Sequence, residues 1–285
     1  MKPFGLDYEG ATFVAKTTTL HPRAGNMPLE ADGVSPKDLL PSCIKVKFLQ
    51  GAVLNAVGLS GPGAHALLMS GKWQARERPF LISFMSVDSS LVHRMMELHS
   101  FVEMLKPHIP EFKSPFALEM NFSCPNVGLS TSELAEEAGG ALDIAKVLGI
   151  PLVPNFGPDI SVEIIREVMN HPACDAVSVS NTLKWGNLSH KINWNQIWGQ
   201  SASPLSHIGG GGMSGNPIFP LVLEIAQRAK MAKLKKPLIV GGGVMSVEAA
   251  EILTRLGVSA VKLGVVGMLR PWRVRKIVRR VRELT

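Results

Sequence analysis

The sequence predicts an α/β protein, a TIM (β/α)8 barrel in which strands and helices alternate around one parallel sheet. Three observations predict it. Short apolar runs alternate with helical patterns of about 10–15 residues. The length of 285 residues suits one large barrel. The 46% of hydrophobic against 19% of charged residues suffices for a core and excludes a disordered chain.

Seven strands and the helices between them follow in order along the chain. The predicted strands are Phe13–Thr18, Phe80–Ser86, Phe116–Cys124, Pro151–Phe156, Ala176–Thr182, Pro237–Gly242 and Ala260–Val265. The predicted helices are Leu91–Leu105, Ser132–Leu148, Val162–Met169, Pro217–Lys233, Val247–Leu256 and a basic helix over 270–285. We expect a single domain over 1–285, with a strand-pair insertion near 43–58 and a loop insertion near 183–207.

The strand count leaves a gap, because a closed barrel of this type has eight strands. Too few residues precede Phe13 for a further strand and helix. Three explanations stay open: the segment Met1–Tyr8 fills the gap irregularly, a partner fills it, or the barrel is incomplete at its N-terminus.

The net charge of +7 lies almost entirely in one segment, since residues 270–285 alone contribute +6. Apolar residues at helical spacing within it predict a final helix with a solvated basic face, and an acidic partner or an anionic surface is the alternative. Aromatic residues make up only 6% and do not interleave with the charges, which argues against nucleic-acid binding.

Composition also bears on the compartment. No apolar run reaches the roughly 18 residues of a membrane span, and the first residues lack a signal-peptide pattern. The three cysteines cannot form a disulfide framework, so we expect a cytoplasmic protein that does not bind a membrane. Cys43 and Cys174 are interpreted as buried apolar residues.

Polar residues stand where the predicted strands end, which in such barrels is the catalytic face. They are one cation, one thiol and five asparagines: Lys16, Cys124, Asn55, Asn121, Asn126, Asn155 and Asn181. Side-chain amides both donate and accept, which suits a flat heterocycle with carbonyl and N–H groups. No carboxylate pair, His cluster or metal-ligand spacing occurs, so no metal is expected.

Two glycine clusters, Gly209–Gly215 and Gly241–Gly243, follow late strands. Backbone without side chains lets amide groups approach a phosphate, and the late loops of a barrel are a frequent phosphate site. Cys124 lies between Ser123 and Pro125 in a polar loop. A nearby cation can lower the pKa of such a thiol, and the thiolate can then act as base or nucleophile.

Taken together, these residues resemble the dihydroorotate dehydrogenase family, specifically its soluble class 1 members. The resemblance covers nearly the whole chain, and Asn121-Phe-Ser-Cys124-Pro-Asn126 is its most specific element. The other motifs also fall in order: Phe13-Val-Ala-Lys16-Thr-Thr-Thr-Leu20, Arg23-Ala-Gly-Asn26, Leu54-Asn-Ala-Val-Gly-Leu59, Ser180-Asn-Thr182, Gly212-Met-Ser-Gly215 and Val240-Gly-Gly-Gly243.

The resemblance implies an FMN-dependent oxidation of dihydroorotate to orotate in pyrimidine biosynthesis. Cys124 would be the base that takes the C5 proton, while hydride from C6 passes to the flavin. Substrate contacts are implied for Lys16, Asn55, Val57, Gly58, Leu59, Asn121, Asn126, Asn181 and Thr182. Flavin contacts are implied for Lys16, Thr17, Asn155, Ser214, Gly215, Gly242, Gly243, Gly264 and Val265. We expect a homodimer, with an electron-transfer subunit as an open alternative.

Two departures from the family pattern bear on the cofactor. The family's first strand has no counterpart, and its flavin-contacting lysine at the end of the Pro151–Phe156 strand is Asn155 here. Asparagine cannot supply positive charge to a reduced, anionic flavin, so FMN binding is expected to be weakened, absent, or supported by a partner chain. Three alternatives remain: a related dihydropyrimidine oxidoreductase, a non-catalytic remnant that binds the ring but has lost flavin, and a phosphate-binding barrel of other chemistry.

Overall fold

The computed structural model of the chain describes residues 8–122 and 131–285. Within these ranges lie eleven strands and nine α-helices. The strands are β1 (Phe13–Val14), β2 (Ile44–Lys47), β3 (Ala52–Asn55), β4 (Phe80–Phe84), β5 (Phe116–Asn121), β6 (Leu152–Phe156), β7 (Val177–Val179), β8 (Leu183–Lys184), β9 (Gly212–Gly215), β10 (Leu238–Gly241) and β11 (Ala260–Lys262). The helices are α1 (Gly63–Met69), α2 (Leu91–Leu105), α3 (Thr131–Ala145), α4 (Val162–Asn170), α5 (Trp194–Trp198), α6 (Phe219–Ala232), α7 (Val247–Arg255), α8 (Val265–Leu269) and α9 (Val274–Leu284).

The main sheet has seven strands in the order β1-β4-β5-β6-β7-β10-β11, and every pair in it is parallel. Its strands are largely buried on both faces, with helices packed outside, as parallel sheets require. Ser161 and Ser246 cap two of these helices by accepting hydrogen bonds from Ile164 N and Ala249 N, each at 3.3 Å.

The main sheet is strongly curled. The ammonium group of Lys262 on β11 contacts the carboxylate of Glu119 on β5, although four strand spacings separate these strands in the sheet. At about 4.8 Å per spacing, a flat sheet would hold them roughly 19 Å apart, beyond the reach of the two side chains. The curl therefore brings opposite strands face to face across a barrel interior.

The barrel is open between β1 and β11, because no strand within the described residues pairs with both edges. This confirms the seven strands counted from the sequence and the incomplete barrel that the count indicated. Of the segment Met1–Tyr8, which was one of the three explanations for the gap, residues 1–7 lie outside the described residues.

The two predicted insertions meet in a second sheet with the order β2-β3-β9-β8, which is antiparallel throughout. The hairpin β2–β3 turns at Gly51, whose φ of 61° favours glycine. Trp194 and Trp198 of α5, in the segment expected to be a loop, pack with Leu205 and Met213 into a separate apolar cluster. That the whole chain forms one domain stays a prediction.

Several predicted strands are shorter in the structure, among them the strand expected over Ala176–Thr182, which spans Val177–Val179. The strand expected over Phe13–Thr18 is paired only at Phe13–Val14, with an isolated bridge from Thr18 to Phe84. The strand expected over Ala260–Val265 ends at Lys262, because Val265 already begins α8. The helix predicted over Leu91–Leu105 has those bounds in the structure.

Candidate active site

Three of the predicted asparagines lie in direct contact where strands of the main sheet end. Asn121 of β5 and Asn155 of β6 stand opposite each other in register. Asn155 Nδ2 donates to Asn121 Oδ1 at 2.7 Å and to Asn181 Oδ1 at 2.9 Å. Asn155 is 2% exposed, so both of its N–H groups are used inside this amide cluster rather than in solvent.

Hydroxyl groups of the first two strand ends complete the cluster. Asn121 Nδ2 donates to Ser83 Oγ at 2.6 Å and to Thr17 Oγ1 at 3.3 Å. Thr17 Oγ1 and Ser83 Oγ are themselves 2.9 Å apart. Because Lys16 precedes Thr17, this contact places the lysine loop beside the amides.

A buried ion pair lies beneath the asparagines, and the sequence analysis missed it. Lys262 contacts Glu119 and also donates to Ser180 Oγ at 3.2 Å. Burial lowers the pKa of Lys262, an effect that the neighbouring Glu119 opposes. Gly241 makes room for the pair, since a Cβ there would lie 2.6 Å from Lys262 Cβ and 3.1 Å from Ser180 Cβ. The sequence did contain a signal for this ion pair. Side chains alternate between the two faces of a strand, so Glu119 of β5 lies on the same face as Asn121.

Asn55 joins the site from the second sheet. It stands opposite Gly212 in register and donates from Nδ2 to Gly212 O at 3.4 Å. A Cβ on Gly212 would lie 2.1 Å from Thr182 Oγ1, so Asn55 and Thr182 flank the same glycine. Since Thr182 follows Asn181, the second sheet borders the amide cluster.

Lys16 reaches the turn that was expected to hold substrate. Its Nζ donates to the carbonyl oxygen of Ser60, directly after Val57-Gly58-Leu59. Gly58 and Leu59 both have positive φ, 70° and 59°, so this turn is tightly bent. Partial burial lowers the pKa of Lys16.

The two glycine clusters also come together. A Cβ on Gly243 would lie 2.8 Å from Gly215 O, and Ser214 Oγ donates to Val53 O at 3.5 Å. Within the described ranges, no acceptor bonds the backbone N–H of Gly242, Gly243 or Gly264. Gly264, followed by Val265, is exposed and has open space where a side chain would be.

Gly215 offers a direct test of this packing. With φ at 99° and a Cβ position 2.1 Å from Gly51 O, alanine there would be strained and would clash with backbone. Gly209 is the matched control, because its φ is 89° and nothing lies within 4 Å. We expect Gly215→Ala to lower the free energy of unfolding by about 1–3 kcal/mol more than Gly209→Ala does in urea titrations. Equal losses would contradict the contact with Gly51.

Comparison with known proteins identifies the family. The family model for dihydroorotate dehydrogenase matches residues 6–284, nearly the whole chain. The chain belongs to the dihydroorotate dehydrogenase family. The catalytic subunit of dihydroorotate dehydrogenase B (NAD(+)) from Geobacillus sp. (strain WCH70) is 28% identical over 276 residues, covering 94% of this chain and 77% of that protein. The corresponding protein of Streptococcus pneumoniae serotype 4 is 27% identical over 280 residues, covering 95% of this chain and 79% of that protein.

A solved structure shows the same fold. Ligand-free dihydroorotate dehydrogenase from Eimeria tenella superposes with a TM-score of 0.66 at 18% identity, covering 94% of this chain and 76% of that one. The sequence-based identification and the incomplete (β/α) barrel are therefore both confirmed. Members of the dihydroorotate dehydrogenase family are oxidoreductases that act on CH–CH donors and are in general flavin-dependent.

The site fits the phosphate of a flavin mononucleotide. An anion needs N–H donors that the protein does not itself satisfy, and the N–H groups of Gly242, Gly243 and Gly264 have no backbone acceptor within the described residues. Gly264 also faces open space, which leaves room for a ligand. The backbone of these three glycines is therefore compatible with the flavin dependence that is general in the family.

The remaining predictions concern the loop after β5, metal ions, membranes and the other two cysteines. Cys124 and Asn126 lie outside the described residues. Among the residues described, no group of three or more His, Cys, Asp or Glu could hold a metal ion. No α-helix within 8–122 or 131–285 combines the length and apolar character that crossing a membrane requires. Cys43 and Cys174 are buried and free, as expected.

Proposed function

We propose that this chain oxidises dihydroorotate to orotate with FMN bound at the carboxyl edge of its main sheet. The observation that supports this most directly is the contact of Asn121, Asn155 and Asn181, whose amides lie 2.7–2.9 Å apart where the strands end. Amide side chains pair with both the carbonyl and the N–H groups of a pyrimidine ring.

Substrate binding is assigned to two sides of the site. Asn121 and Asn181 would contact the ring from below, with Asn126 from the loop after β5. Asn55, Thr182 and the Val57-Gly58-Leu59 turn would close the second side. The ammonium group of Lys16, in contact with Ser60 beside that turn, supplies a cation for the substrate carboxylate.

Cofactor binding is assigned to Lys16, Thr17, Asn155, Ser214, Gly215, Gly242, Gly243, Gly264 and Val265. The glycine amides would hold the phosphate, and Lys16 and Thr17 would lie beside the flavin ring. Bound FMN supplies the acceptor for the hydride that leaves C6. Cys124 would take the proton from C5, so that a C5–C6 double bond forms as both hydrogens leave.

The spectrum of the purified protein tests this function. We expect a yellow protein whose flavin absorption band bleaches on anaerobic addition of dihydroorotate, with one orotate formed for each flavin reduced. Dihydrouracil, which lacks the carboxylate, serves as control and should leave the band unchanged. A colourless protein that takes up no FMN on titration would overturn the proposal and favour a non-catalytic ring-binding remnant.

The names of the relatives bear on the partners that we propose for this chain. The relatives above are named as catalytic subunits linked to NAD(+), which supports a separate electron-transfer subunit for this chain. We also propose a homodimer and a cytoplasmic location, in which dihydroorotate is a soluble substrate. Exposed apolar side chains before and within the β2–β3 hairpin support a partner contact there: Leu39, Leu40, Phe48 and Leu49.

A further inference from the structure

Six side chains inside the barrel form a closed ring of hydrogen bonds, and four of them come from the amide cluster and its hydroxyl neighbours. Lys262 donates to both of its neighbours in the ring and Glu119 accepts from both of its neighbours, while each side chain between them donates to the next. In order they are Lys262, Ser180, Asn155, Asn121, Ser83 and Glu119.

The first half of the ring starts at a cation. Lys262 Nζ donates to Ser180 Oγ at 3.2 Å, and Ser180 Oγ donates to Asn155 Oδ1 at 2.9 Å. An ammonium group can only donate, so the hydroxyl hydrogen of Ser180 must point away from Lys262. It points to Asn155 at 2.9 Å rather than to Ser178 Oγ at 3.2 Å, so the atom of Asn155 that receives it is the amide oxygen.

The second half ends at an anion. Asn121 Nδ2 donates to Ser83 Oγ at 2.6 Å, and Ser83 Oγ donates to Glu119 Oε1 at 3.3 Å. A carboxylate can only accept, so it fixes the direction of these bonds independently of Lys262. Both ends dictate the same polarity, with Asn155 Nδ2 donating to Asn121 Oδ1 at 2.7 Å in the middle.

The polarity of the ring decides what Asn181 can offer a ligand. Asn155 Nδ2 also donates to Asn181 Oδ1, while Asn181 Nδ2 donates to Asn155 O at 3.2 Å. Among the residues that the structure describes, no acceptor binds the second N–H of Asn181, and this residue is partly exposed. With the opposite polarity, Asn181 would present an oxygen in place of that N–H, and this oxygen would also face the carbonyl oxygen of Asn155, which therefore favours the same orientation as the ring.

We propose that the ion pair of Lys262 and Glu119 is a positioning element that fixes the amide orientations of Asn121, Asn155 and Asn181 and so selects ring ligands with an acceptor facing Asn181. This role rests on the proposed function for the identity of the ligand. Neither charged residue touches the ligand, because both lie beneath the asparagines. Asn155 likewise acts on the ligand through its two neighbours, since both of its N–H groups are already used.

The test replaces the ion pair by uncharged groups, as Glu119→Gln/Lys262→Met, which leaves no unpaired charge in the barrel. The matched control is Glu224→Gln/Lys191→Met, which removes an exposed pair with an Nζ–Oε2 distance of 2.6 Å and so changes the formal charges equally. The first readout is the set of side-chain amide NMR signals of 15N-asparagine in the protein without substrate. The second is the dissociation constant of orotate for the FMN-loaded protein.

We expect the Glu119→Gln/Lys262→Met variant to show doubled or broadened amide signals for the cluster. Its orotate affinity should fall about tenfold, as loss of one well-directed hydrogen bond predicts. The control variant should match the wild type in both readouts. Unchanged amide signals in the Glu119→Gln/Lys262→Met variant would overturn the positioning role. Altered signals in a protein whose wild type binds no orotate would instead support that role and count against the proposed substrate.

Discussion

Replacing Cys124 by serine is expected to lower the turnover of dihydroorotate by about two to four orders of magnitude at neutral pH. A free cysteine thiol has a pKa near 8.5, whereas a serine hydroxyl is a far weaker acid and does not become an anion in this pH range. Flavin content should not change, because Cys124 is assigned to the proton and not to the cofactor. Stopped-flow bleaching of the flavin band by dihydroorotate measures the step directly.

The pH profile separates this role from a structural one. If the thiolate is the base, the wild-type bleaching rate rises with pH through the pKa of the thiol and then levels. The Cys124→Ser rate should keep rising across the same range. A serine variant with wild-type turnover would remove Cys124 from the proton-transfer role.

Cys174 is the matched control for that substitution. It is 1% exposed, and burial raises the pKa of its thiol to about 11, so it remains a neutral thiol at physiological pH. Its Sγ donates to Ala176 O at 3.4 Å, away from the asparagines. Cys174→Ala should therefore keep the wild-type rate and pH profile.

The barrel was predictable because it depends on local patterns. Apolar runs of strand length and the periodicity of helices such as Leu91–Leu105 are present in short windows of sequence, and their order alone implies a parallel sheet. Short elements were missed, as at α1 and α5, because one or two helical turns show too little periodicity to be distinguished from a loop. Val265 was assigned to a strand because an apolar run does not by itself show where a strand ends and a helix begins.

Only those residues of the candidate site that lie at the ends of strands could be predicted from the sequence. Asn121, Asn155 and Asn181 could be grouped in advance, because carboxyl ends of parallel strands meet at one edge. The pairing of Glu119 with Lys262 could not, since it depends on how far the sheet curls. In the sequence, Glu119 and Lys262 each look like a single charged residue in an otherwise apolar strand. The link from Lys262 through Ser180 to Asn155 is similar, because it exists only in the folded barrel.

Replacing Arg94 by methionine is expected to lower the free energy of unfolding by about 3–5 kcal/mol. Arg94 on α2 forms a two-pronged ion pair with Glu137 on α3, with Nε–Oε1 at 2.6 Å and Nη2–Oε2 at 2.8 Å. The two side chains are only 11% and 9% exposed, so the variant leaves a buried carboxylate without its cation. The loss is a large share of the about 5–15 kcal/mol that stabilises a typical domain.

Arg228→Met is the control at an exposed pair, although Arg94 also donates from Nη1 to the carbonyl oxygens of Asp88 and Ser89, at 3.1 and 3.0 Å. Arg228 Nη2 lies 2.9 Å from Glu163 Oε1 and also joins two neighbouring helices, but the side chains are 45% and 60% exposed. Water and salt screen such a pair, so its loss should cost less than about 1 kcal/mol. Urea unfolding of both variants gives the comparison, and Arg94→Met/Glu137→Leu should recover much of the stability that Arg94→Met loses.

Equal losses for Arg94→Met and Arg228→Met would show that the α2–α3 pair is as solvated as the surface pair. The position of α3 would then have to depend on its apolar face, where Ala138, Ala141 and Leu142 are buried.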